Sequence, residues 1–286
     1  MTRRRNLAVA LVFLGPALAA VVLLRMWPAG LAIHDSLLAP RATTYSLENY
    51  RYLFADPLFL KSLRVTLTYV VIVNPLQVAA ALALALLVNA SFPLVGLWRT
   101  LIFLPVAIPQ SVSAVVWAVG YRPDGPLNAV LVSLGIGQQP FLTSPDQALA
   151  SLILMVSWIG VGYWMTFLLA GLQDIPQSLL EAARVDGATA WQRFRYVTLP
   201  LMRRPLTFVL VANTVANFLV FAPVKILTQG GPRGSTNLIM NEIYTRAFSA
   251  GDPSSAAAAT VILVTTLLLI VTIQFWLLRS SAESQS

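Results

Sequence analysis

Six long apolar runs constrain this chain more than any other feature of its sequence. Each run is long enough to cross the hydrocarbon core of a bilayer as a helix. They lie at about residues 7–27, 65–89, 100–120, 147–171, 206–224 and 257–278. With 57% hydrophobic and 10% charged residues, the chain has too little polar surface for a soluble domain of 286 residues. The pattern predicts an all-α polytopic membrane protein, a single domain over residues 1–286 with core spans at about 65–224.

The first run is preceded by a basic triplet, Arg3-Arg4-Arg5, as in a cleaved signal peptide. The run is longer than a signal core, and no small-residue cleavage site ends it. Arg25, Trp27 and Pro28 instead resemble a boundary at the membrane interface. We therefore expect a retained helix that ends near residue 27.

Six spans place both termini on the same side of the membrane. The strongest concentrations of positive charge are the N-terminal arginines and those within residues 193–204, close to span ends. Such charge favours the cytoplasmic side. The sequence thus predicts cytoplasmic termini and a cytoplasmic segment at 174–204.

Several chemistries are excluded by residues that the chain lacks. It contains no cysteine, and its one histidine, His34, is expected to be a solvated loop residue. Neither Lys61 nor Lys225 follows a glycine-rich phosphate-binding loop, so any ATPase must be a separate polypeptide. We predict no catalytic residue and no metal site. The net charge of +8 is attributed to topology and lipid headgroups rather than to nucleic acid.

The middles of the six runs carry no Asp, Glu, Lys, Arg or His. A small secondary transporter or channel, the main alternative, would be expected to show charged midplane residues or inverted repeats. A membrane enzyme would need His, Cys or paired carboxylates near an interface. The uncharged midplane also favours an uncharged solute.

A polar segment separates the fourth and fifth runs and carries two helix-start signals. Ser178 with Glu181, and Thr189 with Gln192, have the spacing of reciprocal capping boxes. Gly187 suits a turn with positive φ, and Pro200 is expected to end the second helix. The segment predicts a short helix, a turn at 186–187 and a second short helix at the membrane face.

Two sequence blocks resemble a known family. The first is Glu181-Ala182-Ala183 and Asp186-Gly187-Ala188, followed by Phe194, Leu199-Pro200 and Pro205. The second is Leu227-Thr228-Gln229-Gly230-Gly231-Pro232, followed by Ser235-Thr236, Tyr244 and Phe248. Their order and the surrounding hydropathy resemble permease subunits of binding-protein-dependent ABC importers of carbohydrates, in particular the maltose-type first permease.

This resemblance implies a non-catalytic subunit of a bacterial plasma-membrane importer. The expected partners are a homologous second permease, two ATPase subunits that bind ATP and Mg, and an extracytoplasmic solute-binding protein. The expected solute is a sugar or a related neutral molecule, and the chain itself holds no cofactor. The residues expected to couple transport to the ATPase are Glu181, Ala182, Ala183, Asp186, Gly187 and Ala188.

Polar and aromatic residues within the runs are candidates for the solute path. By resemblance, Asn217 matches an asparagine in the sugar site of the maltose-type permease, and Tyr163 matches an aromatic position of its fourth core helix. Asn213 lies one helical turn before Asn217 on the same face, while Gln110 and Trp158 are weaker candidates. Aromatic faces and amides together suit a sugar. The alternative for each amide is interhelical hydrogen bonding, and for each Trp an anchor at the interface.

Overall fold

The computed structural model of the protein describes residues 13–38 and 44–283, with side chains described up to Leu278. The N-terminal arginine triplet and the first residues of the predicted first span lie outside this range. The described backbone is helical apart from loops and one isolated β-bridge, which confirms the all-α class. The helices are α1 (Phe13–Ser36), α2 (Glu48–Ala55), α3 (Pro57–Asn89), α4 (Val95–Phe103), α5 (Gln110–Gly120), α6 (Pro126–Ser133), α7 (Ala148–Gln173), α8 (Gln177–Val185), α9 (190–201), α10 (Arg203–Phe218), α11 (Ala222–Leu227), α12 (Ile239–Tyr244) and α13 (Pro253–Glu283).

Five helical segments of the described chain are long and apolar enough to cross a membrane. They are Phe13–Ser36, Pro57–Asn89, Ala148–Gln173, Arg203–Leu227 and Pro253–Leu278. The predicted third span at 100–120 is not one continuous helix. Val95–Ala107 and Gln110–Gly120 are bent by 97° at a short break, and they make a sixth span only when counted together. The break falls at Pro109, which has an extended backbone and no N–H to continue the helix.

The two prolines expected to end helices behave differently. The first helix continues through Trp27 and Pro28 to Ser36, so the predicted end near residue 27 is wrong. The helical run 190–201 ends one residue after Pro200, at a turn on Met202, as expected. In both places a wide π-helical turn precedes the proline, at Val22–Met26 and at Phe194–Thr198. A wider turn accommodates the ring and the missing N–H without breaking the helix.

By their contacts, the described residues form two compact units, one from within 1–60 and 242–266 and the other from within 61–241 and 267–286. Within the first unit, Arg246 is buried and pairs with Glu242 at 2.8 Å and with Asp56. Burial acts to raise the pKa of Asp56. The hydrogen bond from Arg246 and the backbone N–H of Leu58 outweigh burial and hold this pKa below its usual value.

The second unit is packed around an apolar cluster supplied by α3, α7 and α10. Small residues Ala81 and Ala85 of α3 lie one turn apart and are fully buried against α7 residues such as Leu168. Glycines bring α7 still closer to its neighbours. A Cβ on Gly162 would lie 2.3 Å from the backbone oxygen of Ile102 in α4. Small residues permit close helix contact in membranes, where dispersion replaces the hydrophobic effect.

We expect Gly162→Ala to destabilise the protein, because the added methyl group would collide with backbone rather than with a movable side chain. The helices would have to separate, at a cost of about 1–3 kcal/mol, as in other overpacked sites. The measurement is the thermal unfolding midpoint in detergent. Gly96→Ala in α4 is the control, since a Cβ there meets no atom within 4 Å. Equal midpoints for the two variants would contradict the close approach.

Candidate solute path and coupling segment

Asn217 lies at the centre of a buried amide cluster within the second unit. Its Nδ2 is 2.8 Å from Oδ1 of Asn74, 3.0 Å from Oε1 of Gln77 and 2.9 Å from Oδ1 of Asn213. Its Oδ1 accepts a hydrogen bond of 3.1 Å from the hydroxyl of Tyr69. Each of these five side chains is at most 5% exposed. In this conformation both polar ends of the Asn217 amide are therefore satisfied by protein.

The cluster extends to two further helices. Nδ2 of Asn74 donates to Oγ1 of Thr214 at 2.8 Å, and Nε2 of Gln274 in α13 donates to the same oxygen at 2.9 Å. Gln77 approaches Ser157 of α7 at 3.4 Å. Residues of α3, α7, α10 and α13 thus meet in one polar network. Without such partners, amides in an apolar core would be costly.

The structure brings together only two of the five predicted path residues. Asn213 and Asn217 belong to the amide cluster, whereas the other three lie on more open surface. The ring of Tyr163 is 40% exposed and lies 5.2 Å from that of Phe167. The Trp158 ring packs 5.7 Å from Trp117 and lines an open cavity of 590 Å³, and Gln110 is half-buried at the start of α5.

The second family block forms a tightly bonded loop after α11. Oγ1 of Thr228 and Oγ1 of Thr236 are 2.7 Å apart, and the Thr236 hydroxyl donates to the backbone oxygen of Gly231 at 2.7 Å. Gly230 has φ of 90°, and a Cβ there would lie 2.9 Å from the side chain of Asn237. Ile239 donates its N–H to Oγ1 of Thr66 in α3. The loop is therefore held to the second unit by side-chain as well as backbone bonds.

The candidate coupling segment, residues 174–204 (hereafter the coupling segment), has the predicted helix–turn–helix form. After α8 the N–H of Ala188 donates to the backbone oxygen of Ala183 at 3.0 Å. The N–H of Gly187 donates to the backbone oxygen of Arg184 at 3.1 Å. Gly187 has φ of 77°. These two bonds and the left-handed residue define a Schellman motif, which stops a helix without leaving its last carbonyls unpaired. The sequence expectation of a turn at Gly187 is confirmed.

One of the two predicted capping boxes is present. Oγ1 of Thr189 accepts from the N–H of Gln192, whose side chain accepts from the N–H of Thr189 at 2.7 Å. The box predicted for Ser178 and Glu181 is wrong. Helix α8 begins two residues earlier than this box requires, with Pro176 as its N-cap, so Ser178 lies inside the first turn and cannot cap it.

Most of the predicted coupling residues are exposed. Glu181, Ala182, Asp186 and Gly187 are open to solvent, while Ala183 and Ala188 are partly covered. The segment also exposes large apolar side chains, which sequence reasoning did not single out. They include Val185 at 87%, Trp191 at 69% and Tyr196 at 73% exposure. Apolar groups within a polar segment are typical of an interaction surface.

Residues 63–281 match the family described as the binding-protein-dependent transport system inner membrane component. The match covers most of the chain, and the chain belongs to this family. The probable ABC transporter permease protein YesP of Bacillus subtilis (strain 168) is 36% identical over 258 residues, covering 86% of this chain and 82% of YesP. The lactose transport system permease protein LacF of Rhizobium radiobacter is 32% identical over 244 residues, with 82% of each chain covered.

The fold has counterparts among solved structures. A chain from a bacterial alginate ABC transporter, crystallised in complex with an alginate pentasaccharide-bound periplasmic protein, aligns with a TM-score of 0.83. The alignment covers 95% of this chain and 93% of that one, at 22% identity. The motif-based recognition of a membrane-embedded permease subunit of an ABC importer is thus confirmed.

We expect Thr214→Val to destabilise the second unit by about 1–3 kcal/mol. The substitution keeps the branched shape but removes the oxygen that accepts from both Asn74 and Gln274, so two buried amide groups lose a partner. Thermal unfolding of the purified chain measures the change.

Thr260→Val is the matched control, because the hydroxyl of Thr260 donates to the helix carbonyl of Ala256. We expect its unfolding midpoint to stay near that of the unmodified protein. If Thr214→Val were equally mild, the amide network would not contribute to helix packing.

Proposed function

We propose that this chain is a transmembrane subunit of an ATP-driven importer and forms half of the translocation path for a sugar or related neutral polar solute. Family membership supports the transport role. The names of its relatives support the solute class, since one is a lactose transport system permease and others are sn-glycerol-3-phosphate transport system permeases. The second of these names also keeps a phosphorylated solute open. In this proposal the chain performs no covalent chemistry, and ATP with Mg is bound by the partner ATPases.

The proposed assembly comprises this chain, a homologous second permease, two ATPase subunits and an extracytoplasmic solute-binding protein. A periplasmic solute-loaded protein bound to a transporter of the same fold supports the last partner. Residues 174–204 and both termini are assigned to the cytoplasm, because arginines concentrate next to the span ends on that side. The complex is assigned to the bacterial plasma membrane.

The observation that carries the coupling role is the exposed helix–turn–helix between two candidate spans. Helix α8 begins four residues after α7 ends, and α9 is followed almost directly by α10. A push on the segment is thus transmitted to two spans through short connections. Val185, Trp191 and the carboxylate of Glu181 provide an apolar and acidic surface for an ATPase groove. A rigid lever of this kind is a known means of coupling two distant sites.

The solute path is assigned to Asn217, Asn213 and Tyr163, with Gln110 and Trp158 at its edges. The amide cluster supplies donors and acceptors at mid-span, and the exposed Tyr163 ring supplies a face for a sugar ring. In the conformation described here the amides bond to one another. Alternating access would exchange some of these bonds for solute hydroxyls, at little net cost because both states are hydrogen-bonded.

We expect Gly187→Asp to abolish or uncouple solute-stimulated ATP hydrolysis while leaving the membrane fold intact. A Cβ at Gly187 meets no atom within 4 Å, so the chain itself has room for the side chain. The left-handed φ adds a cost of about 1–2 kcal/mol, less for Asp than for most residues. Transport and ATPase activity of the reconstituted complex measure the effect.

Gly135→Asp is the matched control, since Gly135 has the same φ of 77° and the same empty surroundings. If Gly135→Asp leaves transport and ATPase activity unchanged, backbone strain cannot explain a loss of activity in Gly187→Asp. The coupling role is refuted if the Gly187→Asp complex keeps its subunit stoichiometry together with normal stimulated ATPase activity and transport.

We expect Asn217→Ala to raise the transport KM about threefold to tenfold, because the solute would lose one or two neutral hydrogen bonds. Asn74→Ala is the control, because it breaks the same buried cluster at a residue not assigned to the path. Both variants should unfold at lower temperature. A KM that changes equally in both, or in neither, would show that Asn217 serves only to hold the helices together.

A further inference from the structure

A groove lies where the start of α10 meets the end of α13, both within the second unit. Its volume is 720 Å³. Its lining combines two arginines, two threonines and four apolar side chains: Arg203, Arg204, Thr207, Phe208, Thr272, Phe275, Trp276 and Leu278. An adjoining cavity of 210 Å³ shares three of these residues and adds Arg195. Neither the coupling segment nor the amide cluster accounts for this groove.

The charged and apolar groups of the groove are separated along the helices. Arg203 and Arg204 are the first two residues of α10, and Phe208 lies one turn further on, about 6 Å towards the middle of the span. Arg204 and Phe208 share a helix face. The other wall is the last part of the candidate span Pro253–Leu278, where Phe275 and Trp276 are 52% and 69% exposed. The guanidinium groups thus stand at the end of the span and the aromatic rings beside it.

The electrostatics of the groove favour an anion. Two guanidinium groups line it, a third lines the adjoining cavity, and no acidic side chain is among the described residues that line either. Arginine matches phosphate oxygens in a bidentate way, and threonine hydroxyls add donors. Tryptophan at a span end is typical of the headgroup level of a membrane. The groove therefore has a phosphate-binding end followed by a wall for a hydrocarbon chain.

We propose that this groove binds an anionic phospholipid, with its phosphate against Arg203 and Arg204 and one acyl chain along Phe208, Phe275 and Trp276. The groove lies at the end of α10 that follows residues 174–204, and the leaflet rests on the proposed function, which assigns these residues to the cytoplasm: the lipid then belongs to the cytoplasmic leaflet. Basic pockets between membrane helices on that side bind anionic headgroups by the same chemistry. The site requires only that the chain is embedded in a membrane, and it does not depend on the solute or on the ATPase.

The test uses the full chain in nanodiscs with spin-labelled phosphatidylglycerol or spin-labelled phosphatidylcholine as probes. Electron paramagnetic resonance measures the immobilised fraction of each lipid. We expect phosphatidylglycerol to be preferred about tenfold, in line with the attraction of two arginines for an anionic lipid. Arg203→Gln combined with Arg204→Gln should bring this preference close to one.

Arg51→Gln combined with Arg64→Gln is the charge-matched control, because it removes two exposed arginines far from the groove in sequence. It should retain the preference. The single variant Arg204→Gln affects an exposed side chain and should lower the preference several-fold without disturbing the fold. Trp276→Ala should weaken immobilisation of the lipid chain.

Several outcomes would overturn the lipid site. One is an unmodified protein that immobilises both lipids equally, and another is a groove variant that keeps the preference. Competition by glycerol phosphate at concentrations comparable to the lipid would instead identify a site for free anions. Loss of the ATPase from the assembled complex, with lipid preference unchanged, would assign the two arginines to ATPase docking.

Discussion

The amide of Asn217 makes hydrogen bonds to side chains of α3 and α10, and the packing of the second unit depends on such contacts. In hydrocarbon no water is available to hydrogen-bond an amide side chain. Each amide on a membrane helix therefore needs a hydrogen-bond partner on a neighbouring helix. Asn74, Gln77 and Thr214 meet this requirement for one another, and Gln274 joins α13 to the same group. The bonds fix which faces of these helices meet. Around them, the alanines of α3 and the glycines of α7 allow the helices to approach closely.

The polar cluster bears on the proposed transport role. A group of amides can be hydrogen-bonded in two ways at similar free energy, either to one another or to a polar solute. A charged cluster would have required a counter-ion in each state. Under the proposed function, the uncharged midplane and the mutual bonding of Asn213 and Asn217 suit a neutral, hydroxyl-rich solute.

The structure of the coupling segment, in contrast, depends on hydrogen bonds between residues that are close in sequence. Gly187 supplies a left-handed residue, the Schellman bonds close α8, and the Thr189–Gln192 box opens the next helix within two residues. A turn built from such short-range bonds does not depend on the packing of the spans around it. Its large apolar side chains, such as Val185 and Trp191, remain exposed, and under the proposed function they are available for docking of a second protein.

Short-range chemistry was readable from the sequence. The apolar runs determined the membrane class, the spacing at 189–192 determined a helix cap, and Gly187 determined the turn, because each depends on residues within one or two helical turns. Predictions of helix ends from single residues were wrong where residues a few positions away changed the backbone conformation. The π turn before Pro28 lets the first helix continue, and Pro176 displaced the start of α8 away from Ser178.

Tertiary structure alone decided which polar groups meet. The sequence pointed to Asn213 and Asn217 but contained no signal that Tyr69 donates to Asn217, because Tyr69 lies 148 residues away along the chain. It also contained no signal that Gln274 reaches Thr214, 60 residues away. The same holds for Asp56 and Arg246, which are 190 residues apart. Hydropathy determines that a segment enters the membrane, but it is nearly the same on all sides of such a helix. Only the packing of helices against one another selects the face on which each amide finds its partner.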